Sequence, residues 1–412
     1  MREVSCVIIG GGSAGMAAAC SAWDHQEHSI LILERGSETG GILNQCIHNG
    51  FGLQVFQKEM TGPGFSERLT EEVSKRGIEV QCNTEVLSVS EDKVITAVSE
   101  RGIEQIQART IIFACGCYER SAGMIHLPGK RLKGIYTAGL AQKYLNVHNI
   151  LVGKRVVILG SGDIGLIMAR RMTLEGAKVL CVAELMPYSN GLNRNIVQCL
   201  DDFDIPLYCS HTVVNVEGDT HVQRITIAAV DENRQPVKGT EKVFDADTLL
   251  LSVGLIPEND LAMQVGIELD PRTKGAVVDE TCQTSVDGIY ACGNALHVHD
   301  LVDFVTIEAA ETGRYAAAHE ARKEGYIEIR PSDHVGYVVP QRLYDKNVKD
   351  LVLSFRVRKP IKRCEIVLVS ENEEIYRARR PFLIPSEMVR LKIRKSVIEK
   401  IGNDLEVKVV EE

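Results

Sequence analysis

The chain has 412 residues, 44% of them hydrophobic and 25% charged, with a net charge of −9, which predicts a soluble globular protein of two or three domains. It contains no apolar stretch of the ~20 residues that a membrane-spanning helix needs, and Met1 leads directly into a predicted strand, which leaves no room for a signal peptide. The 12 cysteines form no CxxC pair, which argues against a disulfide scaffold and predicts a reducing, cytoplasmic location.

The first predicted elements form a strand, a glycine turn, a helix and a second strand. Residues 4–9 read as a buried strand, 14–25 as an Ala-rich helix and 29–34 as the next strand. The turn carries the glycines of GGGSAG, and Glu34 ends the second strand. Such glycines let a pyrophosphate approach a helix N-terminus, and such a carboxylate accepts hydrogen bonds from a ribose. This unit therefore predicts a dinucleotide site.

A second unit of the same kind lies 150 residues further along the chain. Helix 65–76 and strands 80–89 and 110–116 come first, followed by strand 155–159, helix 164–175 and strand 178–183. The second turn reads GSGDIG, and Glu184 corresponds to Glu34. One glycine motif is weak evidence, and accidental turns are the alternative interpretation. Two copies, each with its strands, helix and acid, favour two bound nucleotides and electron transfer between them.

The remaining elements return to the first unit and then change in character. Segments 248–254 and 288–294 are apolar strands that end in glycine or close to it, and a helix is predicted from 302 to 323 with Asp300 as its N-cap. After Pro331, short β-branched segments predict a small all-β domain. Its predicted strands are 335–339, 351–358, 364–369, 374–379, 388–394 and 405–410.

Charge is distributed unevenly between these regions. Residues 331–412 hold 17 Lys and Arg against 13 Asp and Glu, whereas the first 330 residues hold 30 against 43. The acidic main body argues against nucleic-acid binding. The basic tail, with Arg377, Arg379 and Arg380, suits docking to an acidic partner or an anionic membrane surface. A solvated strand face is the alternative.

These motifs resemble the pyridine nucleotide–disulfide reductase superfamily of flavoproteins. The resemblance rests on GGGSAG with Glu34, TIIFACG, GSGDIG with Glu184, TLLLSVGLIPE and TSVDGIYACGN, over about residues 1–325. It implies an α/β fold in which a second Rossmann-like domain is inserted in the first, followed by a small C-terminal all-β domain. The implied domains are 1–118 and 255–328 for FAD, 119–254 for NAD(H), and 331–412 for the β-rich tail.

The resemblance also assigns cofactor-binding residues. For FAD they are Gly10, Gly12, Ser13, Ala14, Gly15, Glu34, Arg35, Gly41, Val86, Ala114, Gly116, Gly293 and Asn294. For NAD they are Gly160, Gly162, Asp163, Ile164, Gly165, Glu184 and Gly254. Because Glu184 would repel a 2′-phosphate and no Arg follows it until Arg194, NADH is favoured over NADPH. A carboxylate that merely faces solvent is the alternative.

A narrower resemblance is to the NAD/FAD oxidoreductases found beside flavin-dependent glycerol-3-phosphate dehydrogenases in many anaerobic bacteria. It rests on GGILNQCIHNGFG, CYER, LVGKRVVILGSGDIGLIMARRMTLEGAKV and ACGNALHVHDLVDFV. The FAD/NAD subunits of amine and opine oxidases look more distantly related. This resemblance implies a redox partner, a flavin-dependent dehydrogenase subunit, and a homo-oligomer is also compatible with it.

The sequence departs from the superfamily at its redox centre. Two and seven positions after Gly41, where the glutathione-reductase branch has cysteines, stand Leu43 and His48. The stretch AGLAQKYLNVHNILVGK, where the thioredoxin-reductase branch has CxxC, contains no cysteine. Disulfide reduction by the usual route is therefore not expected. Asn294 also replaces an Asp that commonly binds the flavin ribityl chain.

Cysteines and histidines supply further candidates. Cys46, with His48 as the neighbour that lowers its pKa, is the candidate catalytic pair for sulfenic-acid chemistry, and a packing role is the alternative. Cys115 and Cys117 have a CxC spacing, for which a structural role is favoured over metal binding. Four residues cluster just before the predicted flavin-facing helix: His297, His299, Asp300 and Asp303. The two histidines are expected to line the acceptor pocket, with metal binding, proton donation to the flavin and docking of a partner as alternatives, and helix capping suits Asp300.

We therefore expect an NADH-linked flavoprotein that transfers hydride between NAD(H) and FAD and exchanges electrons with a partner protein. A stand-alone NADH oxidase or peroxidase that uses Cys46 is the alternative from another mechanistic class. A non-catalytic nucleotide-binding sensor or scaffold is a third. No metal site is predicted, and the tail has only Cys364, too few thiols for an iron–sulfur cluster.

Overall fold

A computed structural model describes residues 1–322 and 324–411. The chain divides into two compact units. One comprises Met1–Cys117 together with the residues from Pro257 onward, and the other comprises Tyr118–Ile256.

The first unit opens with a mainly parallel sheet. The elements of its first segment, Met1–Cys117, are β1 (Arg2–Ile9), α1 (Ser13–Asp24), β2 (Ile30–Leu33), a 3₁₀ turn (Gly41–Gln45), β3 (Asn49–Phe51), β4 (Met60–Thr61), α2 (Gly62–Lys75), β5 (Glu79–Gln81), β6 (Glu85–Val89), β7 (Val94–Ser99) and β8 (Gly102–Phe113). The strand order is β5-β2-β1-β8-β7-β6. β2 (ILIL) and the second half of β1 (CVII) are continuously apolar and buried, as expected for strands inside a sheet covered on both faces.

The strand predicted over 80–89 is two strands. Asn83 has a φ of +49°, so the chain turns between β5 and β6. As a result β5 pairs parallel with β2, whereas β6 pairs antiparallel with β7. A continuous strand could not make both pairings.

The second unit repeats the plan of the first. Beginning and ending at the boundaries with the first unit, the elements are β9 (Cys117–Glu119), β10 (Ile135–Thr137), α3 (Ala138–His148), β11 (Arg155–Leu159), α4 (Asp163–Leu174), β12 (Lys178–Glu184), α5 (Asn193–Cys199), a 3₁₀ turn (Asp201–Phe203), β13 (Leu207–Cys209), β14 (His211–Gly218), β15 (Val222–Ala229), β16 (Lys242–Asp245), β17 (Thr248–Leu251) and β18 (Leu255–Pro257). The parallel sheet β10-β17-β11-β12-β13 and an antiparallel sheet, β14-β15-β16, form its core.

The chain then returns to the first unit. It adds α6 (Asp260–Gln264), β19 (Ile289–Ala291), a 3₁₀ turn (Gly293–Ala295) and α7 (Val302–Ala317). β19 extends the first sheet by pairing with β8, and α7 packs its small residues Ala309 and Ala316 in one core with Ala18 of α1. Asp300 is not the helix cap: the N-cap is Leu301, with no side-chain capping bond.

The tail contains two further sheets. Its elements are β20 (Ile327–Pro331), β21 (Val335–Val339), β22 (Arg342–Leu343), β23 (Asp350–Val357), β24 (Ile361–Ser370), β25 (Glu373–Leu383), β26 (Val389–Arg394), α8 (Lys395–Ile398) and β27 (Asp404–Glu411). The sheets are β22-β20-β27-β24-β25 and β21-β23-β26, with Phe355 in the core between them. β20, which precedes the predicted start of the tail, pairs with β27. Within residues 1–322 and 324–411, each helix is too short or too polar to span a bilayer.

Candidate functional site

The two glycine turns have the same backbone geometry. The N–H of Gly10 donates to the carbonyl of Leu33 at 2.9 Å, and that of Gly160 donates to Ala183 at 2.7 Å. Gly10 has a φ of +110° and Gly160 a φ of +96°, a conformation that favours glycine. A Cβ on Gly15 would lie 1.9 Å from the carbonyl oxygen of Gly10. Both turns therefore depend on glycine, as the fingerprint interpretation requires.

Glu34 braces the first turn from the end of β2. Its Oε2 accepts a hydrogen bond from the N–H of Gly11 at 2.7 Å, and its Oε1 accepts one from Gly36 at 2.6 Å. The neighbouring Arg35 side chain is exposed. The carboxylate is thus held beside the glycine turn, where a ribose of a bound dinucleotide would meet it.

Glu184 has the equivalent bonds at positions shifted by 150 residues. Oε2 accepts from the Ser161 N–H at 2.9 Å and from the Ser161 Oγ at 2.6 Å, and Oε1 accepts from the Met186 N–H at 2.8 Å. The residue is 4% exposed. The alternative that Glu184 merely faces solvent is therefore wrong.

The two helices that follow the glycine turns differ at their N-termini: the first turn of α4 contains an acid, Asp163, whereas that of α1 contains none. α1 begins at Ser13 after the N-cap Gly12, without a side-chain cap, and nothing lies within 4 Å of a Cβ built on Gly12. The N–H groups of its first turn, which includes Ala14, are left for an anion.

In the second unit α4 begins after Gly162, and an acid follows at once. The Asp163 carboxylate accepts from the N–H of Leu192 at 2.9 Å and the side-chain amide of Asn195 at 2.6 Å. Asp163 therefore ties the 192–195 segment to the start of the helix, where the half-buried Ile164 follows it.

The ends of β8 and β17 contact the two turns. Ala114 donates its N–H to Ile9 at 2.9 Å, and Ser252 at the equivalent place accepts the N–H of Gly165 on its Oγ at 3.1 Å. Sequence reasoning missed Ser252, although aligning TIIFACG with TLLLSVG places it opposite Ala114.

Three other glycines assigned to the cofactor sites lie in left-handed turns. Val86, which the resemblance assigns to the FAD site, is a core residue on β6. Gly41, Gly116 and Gly254 have φ of +56°, +77° and +106°, and nothing lies within 4 Å of a Cβ built on Gly116.

The segment before α7 carries a buried polar cluster. Asn294 accepts the N–H of His299 on Oδ1 at 3.0 Å and donates from Nδ2 to the Cys117 sulfur at 3.5 Å. His297 and His299 both face Glu308, and each imidazole is 1% exposed. The prediction that they line an acceptor pocket is wrong, because burial removes them from solvent.

Asp300 and Asp303 hold loops rather than substrate. Asp300 pairs with Arg356 of the tail at 2.6 Å and accepts the N–H of Met388 at 3.1 Å. The buried Asp303 accepts the N–H groups of Gly52, Gln54 and Val55 at 2.8–3.0 Å.

Cys46 is placed unfavourably for a thiolate. Burial raises the pKa of its thiol to about 12, and Sγ donates to the Ile42 carbonyl at 3.3 Å. His48 hydrogen-bonds the Asn49 carbonyl at 3.0 Å, and its ring lies against that of Phe51 with the centroids 4.9 Å apart. The expectation that His48 lowers the pKa of Cys46 is contradicted, because desolvation dominates.

The remaining cysteines give no dithiol within the described residues, where all 12 are free of disulfides. Burial raises the pKa of Cys115 to about 12, and its Sγ donates to the Ile9 carbonyl at 3.6 Å. This supports the structural role favoured for Cys115.

Comparison with known proteins establishes the family. Residues 4–325 match the pyridine nucleotide-disulphide oxidoreductase family, and the chain belongs to it. Members of this family bind FAD and use NAD(P)H, so the expected cofactors are those of the family.

Curated relatives cover most of that region. The hydrogen cyanide synthase subunit HcnB of Pseudomonas protegens is 26% identical over 64% of this chain and 59% of its own length. The NAD(P)H coenzyme A polysulfide/persulfide reductase of Pyrococcus horikoshii is 25% identical over 72% and 63%. A Streptococcus pneumoniae NADH oxidase is 27% identical over 71% and 64%. The chain thus spans about three-fifths of the length of these relatives.

Solved structures confirm the predicted α/β fold. T. acidophilum thioredoxin reductase matches with a TM-score of 0.64 and 24% identity, over 77% of this chain and 99% of that one. The NAD-dependent persulfide reductase of A. fulgidus matches with a TM-score of 0.60 and 17% identity, over 95% and 72%. At these identities the likeness concerns the fold alone.

Proposed function

We propose that this protein is an NADH-linked FAD oxidoreductase that exchanges electrons with a partner protein. FAD is assigned to 1–118 with 255–328, and NAD(H) to 119–254. One observation carries the proposal: the bonds of Glu34 to Gly11 and Gly36 recur in Glu184 with Ser161 and Met186. Two turns of this geometry suit two dinucleotides.

The residues at the first turn fit FAD. The open space at Gly12 and the uncapped start of α1 suit a pyrophosphate, Glu34 suits the ribose, and Asn294 is assigned to the ribityl chain by the family resemblance. Bound FAD would supply hydride chemistry that side chains lack. This chain contributes binding and orientation.

The second turn favours NADH. The buried Glu184 carboxylate would accept from a free ribose hydroxyl and repel a 2′-phosphate. The names of the relatives do not decide between NADH and NADPH, since one is called an NAD(P)H reductase and another an NADH oxidase. NADH preference is therefore a proposal that rests on Glu184.

A partner protein follows from the missing dithiol. The positions of the family cysteines hold Leu43 and His48, so electrons need another route. The sequence resemblance points to a flavin-dependent glycerol-3-phosphate dehydrogenase subunit, and the relative HcnB is itself named a subunit. The tail is a weaker docking element than its charge suggests, because Arg377 and Arg379 are paired with Glu365.

A stand-alone NADH oxidase is the second candidate. The Streptococcus pneumoniae NADH oxidase among the relatives favours it. The raised pKa of Cys46 argues against a sulfenic-acid mechanism at that thiol.

The test is anaerobic reduction of the full chain reconstituted with FAD. We expect yellow protein whose flavin absorbance is bleached by NADH, with slow turnover in air. Turnover should accelerate when the dehydrogenase subunit co-purified from the native cell is added. Colourless protein that never retains FAD would refute the proposal, and fast oxidase activity without a partner would favour the second candidate.

A further inference from the structure

Glu308 on α7 joins three groups of the segment that precedes the helix. Its Oε1 accepts the N–H of Gly293 at 2.9 Å. Its Oε2 lies 2.7 Å from Nε2 of His297 and 3.3 Å from Nε2 of His299. Sequence reasoning missed Glu308, whose only signal is an acid among the small apolar residues of α7.

The carboxylate remains ionised although its side chain is only 12% exposed. Burial alone would raise the pKa of Glu308, but His299 and His297 outweigh that effect and hold the pKa well below its usual range. The tail adds Arg390, whose guanidinium lies 4.6 Å from the centre of the Phe304 ring on the same helix and whose charge opposes that of Glu308. The carboxylate is therefore met by the N–H groups of His297 and Gly293 and by the positive charge of Arg390.

The same segment orients Asn294. His299 lies between Glu308 and Asn294. Its ring faces Glu308 and hydrogen-bonds the carbonyl of His297 at 2.9 Å, while its backbone N–H donates to Asn294 Oδ1. Because a backbone N–H can only donate, Oδ1 must face His299, and Nδ2 must face the opposite side, toward Cys117.

We propose that Glu308 is a positioning residue of the flavin site, which sets Gly293 directly and the Asn294 amide through His299. This inference rests on the proposed function, because it concerns the FAD that Gly293 and Asn294 are assigned to bind. Glu308→Gln keeps an oxygen for Gly293 but presents an amide N–H₂ to the imidazoles. That group cannot accept the Nε2–H of His297, so the segment from His297 to His299 loses its anchor, and the His299 N–H no longer holds Asn294 Oδ1 in place.

The experiment is a double-mutant cycle on the affinity of the full-length apoprotein for FAD. We expect Glu308→Gln and Asn294→Ala each to raise the FAD dissociation constant at least tenfold. The double variant should have the same dissociation constant as the single variant that binds FAD more weakly, because both substitutions remove the same interaction of Asn294. Glu311→Gln, on the exposed side of α7 where Glu311 pairs with Arg314, is the matched control and should change the constant less than twofold.

Thermal unfolding of the apoproteins checks that each variant folds. If Glu308→Gln does not fold, His299→Gln replaces it in the cycle, since this change keeps the backbone N–H and removes the imidazole.

The outcomes separate the two proposals. Wild-type protein that does not bind FAD overturns the proposed function and the inference together. Wild-type binding with an unchanged Glu308→Gln constant, or with losses that multiply in the double variant, overturns only the role of Glu308. One equivalent of zinc or iron in the wild type that is lost in the variant would also overturn it, because the cluster would then be a metal site.

Discussion

At the scale of single residues, Cys46 shows how burial decides reactivity. A thiol reacts as the thiolate, and a pKa of about 12 leaves almost none at neutral pH. We expect Cys46→Ser to leave NADH oxidation in air within twofold of the wild type, measured as oxygen consumption. Cys20→Ser on α1 is the control, because burial raises the pKa of that thiol too, to about 11. A tenfold loss confined to Cys46→Ser would restore the oxidase mechanism.

Glu184 provides the test of nucleotide choice. Its buried carboxylate is held by Ser161 and Met186, and a hydrogen bond to a charged group contributes about 1.5–3 kcal/mol. We expect Glu184→Gln to raise the KM for NADH about tenfold and to lower the KM for NADPH, because the repulsion of the 2′-phosphate is removed. Steady-state kinetics with both nucleotides measure this.

The control for this substitution lies at the end of α4. Glu175→Gln alters an acid of the same unit that pairs with Arg171 at the surface. It should change neither KM. A Glu184→Gln enzyme with an unaltered ratio of the two KM values would contradict the assignment.

At the scale of elements, the segment after Val278 is held to the tail by an acid. Glu280 accepts the N–H of Tyr344 at 2.9 Å and that of Asp345 at 2.8 Å. Burial, with Asp279 beside it, raises the pKa of Glu280 to about 7 from 4.5. Folding therefore favours the protonated carboxyl, and this contribution is full below pH 4.5 and lost as the pH rises through 7.

We expect the wild type to lose about 2–3 kcal/mol of unfolding free energy relative to Glu280→Gln between pH 5 and pH 8. Urea unfolding of both proteins at the two pH values measures the difference. A difference that is constant with pH would show that Glu280 titrates normally.

At the scale of the whole molecule, the tail belongs to the first compact unit. Arg356 of β23 pairs with Asp300 and donates to the carbonyls of Val298 and Ser386. Gln341 exchanges hydrogen bonds with the backbone of Val278. The tail therefore supports the segment that carries Asn294.

Arg356→Ala leaves Asp300 without its partner in a largely buried site. We expect a loss of about 2–4 kcal/mol in unfolding free energy, together with weaker FAD binding. Chemical denaturation and FAD titration measure the two effects. Arg379→Ala, an exposed arginine of the same tail, should change neither. Equal behaviour of the two variants would mean that the tail does not support the flavin site.

Local patterns predicted much of this architecture. The strand predicted at 155–159 coincides with β11, and those predicted at 4–9 and 335–339 coincide with most or all of β1 and β21. Errors occurred where backbone dihedrals or distant partners decide. Asn83 breaks the predicted strand 80–89, and Arg356 diverts Asp300 from capping α7.

The amino-acid sequence by itself determined the two glycine turns and their acids, because strand, turn and helix are contiguous there and their spacing is written in the chain. The tertiary structure alone decided that desolvation raises the pKa of the half-buried Cys46, that Glu308 holds Gly293 and that the tail reaches Asp300. Such contacts join residues far apart in sequence or depend on desolvation. Both arise from the packing of the whole chain, which no local pattern records.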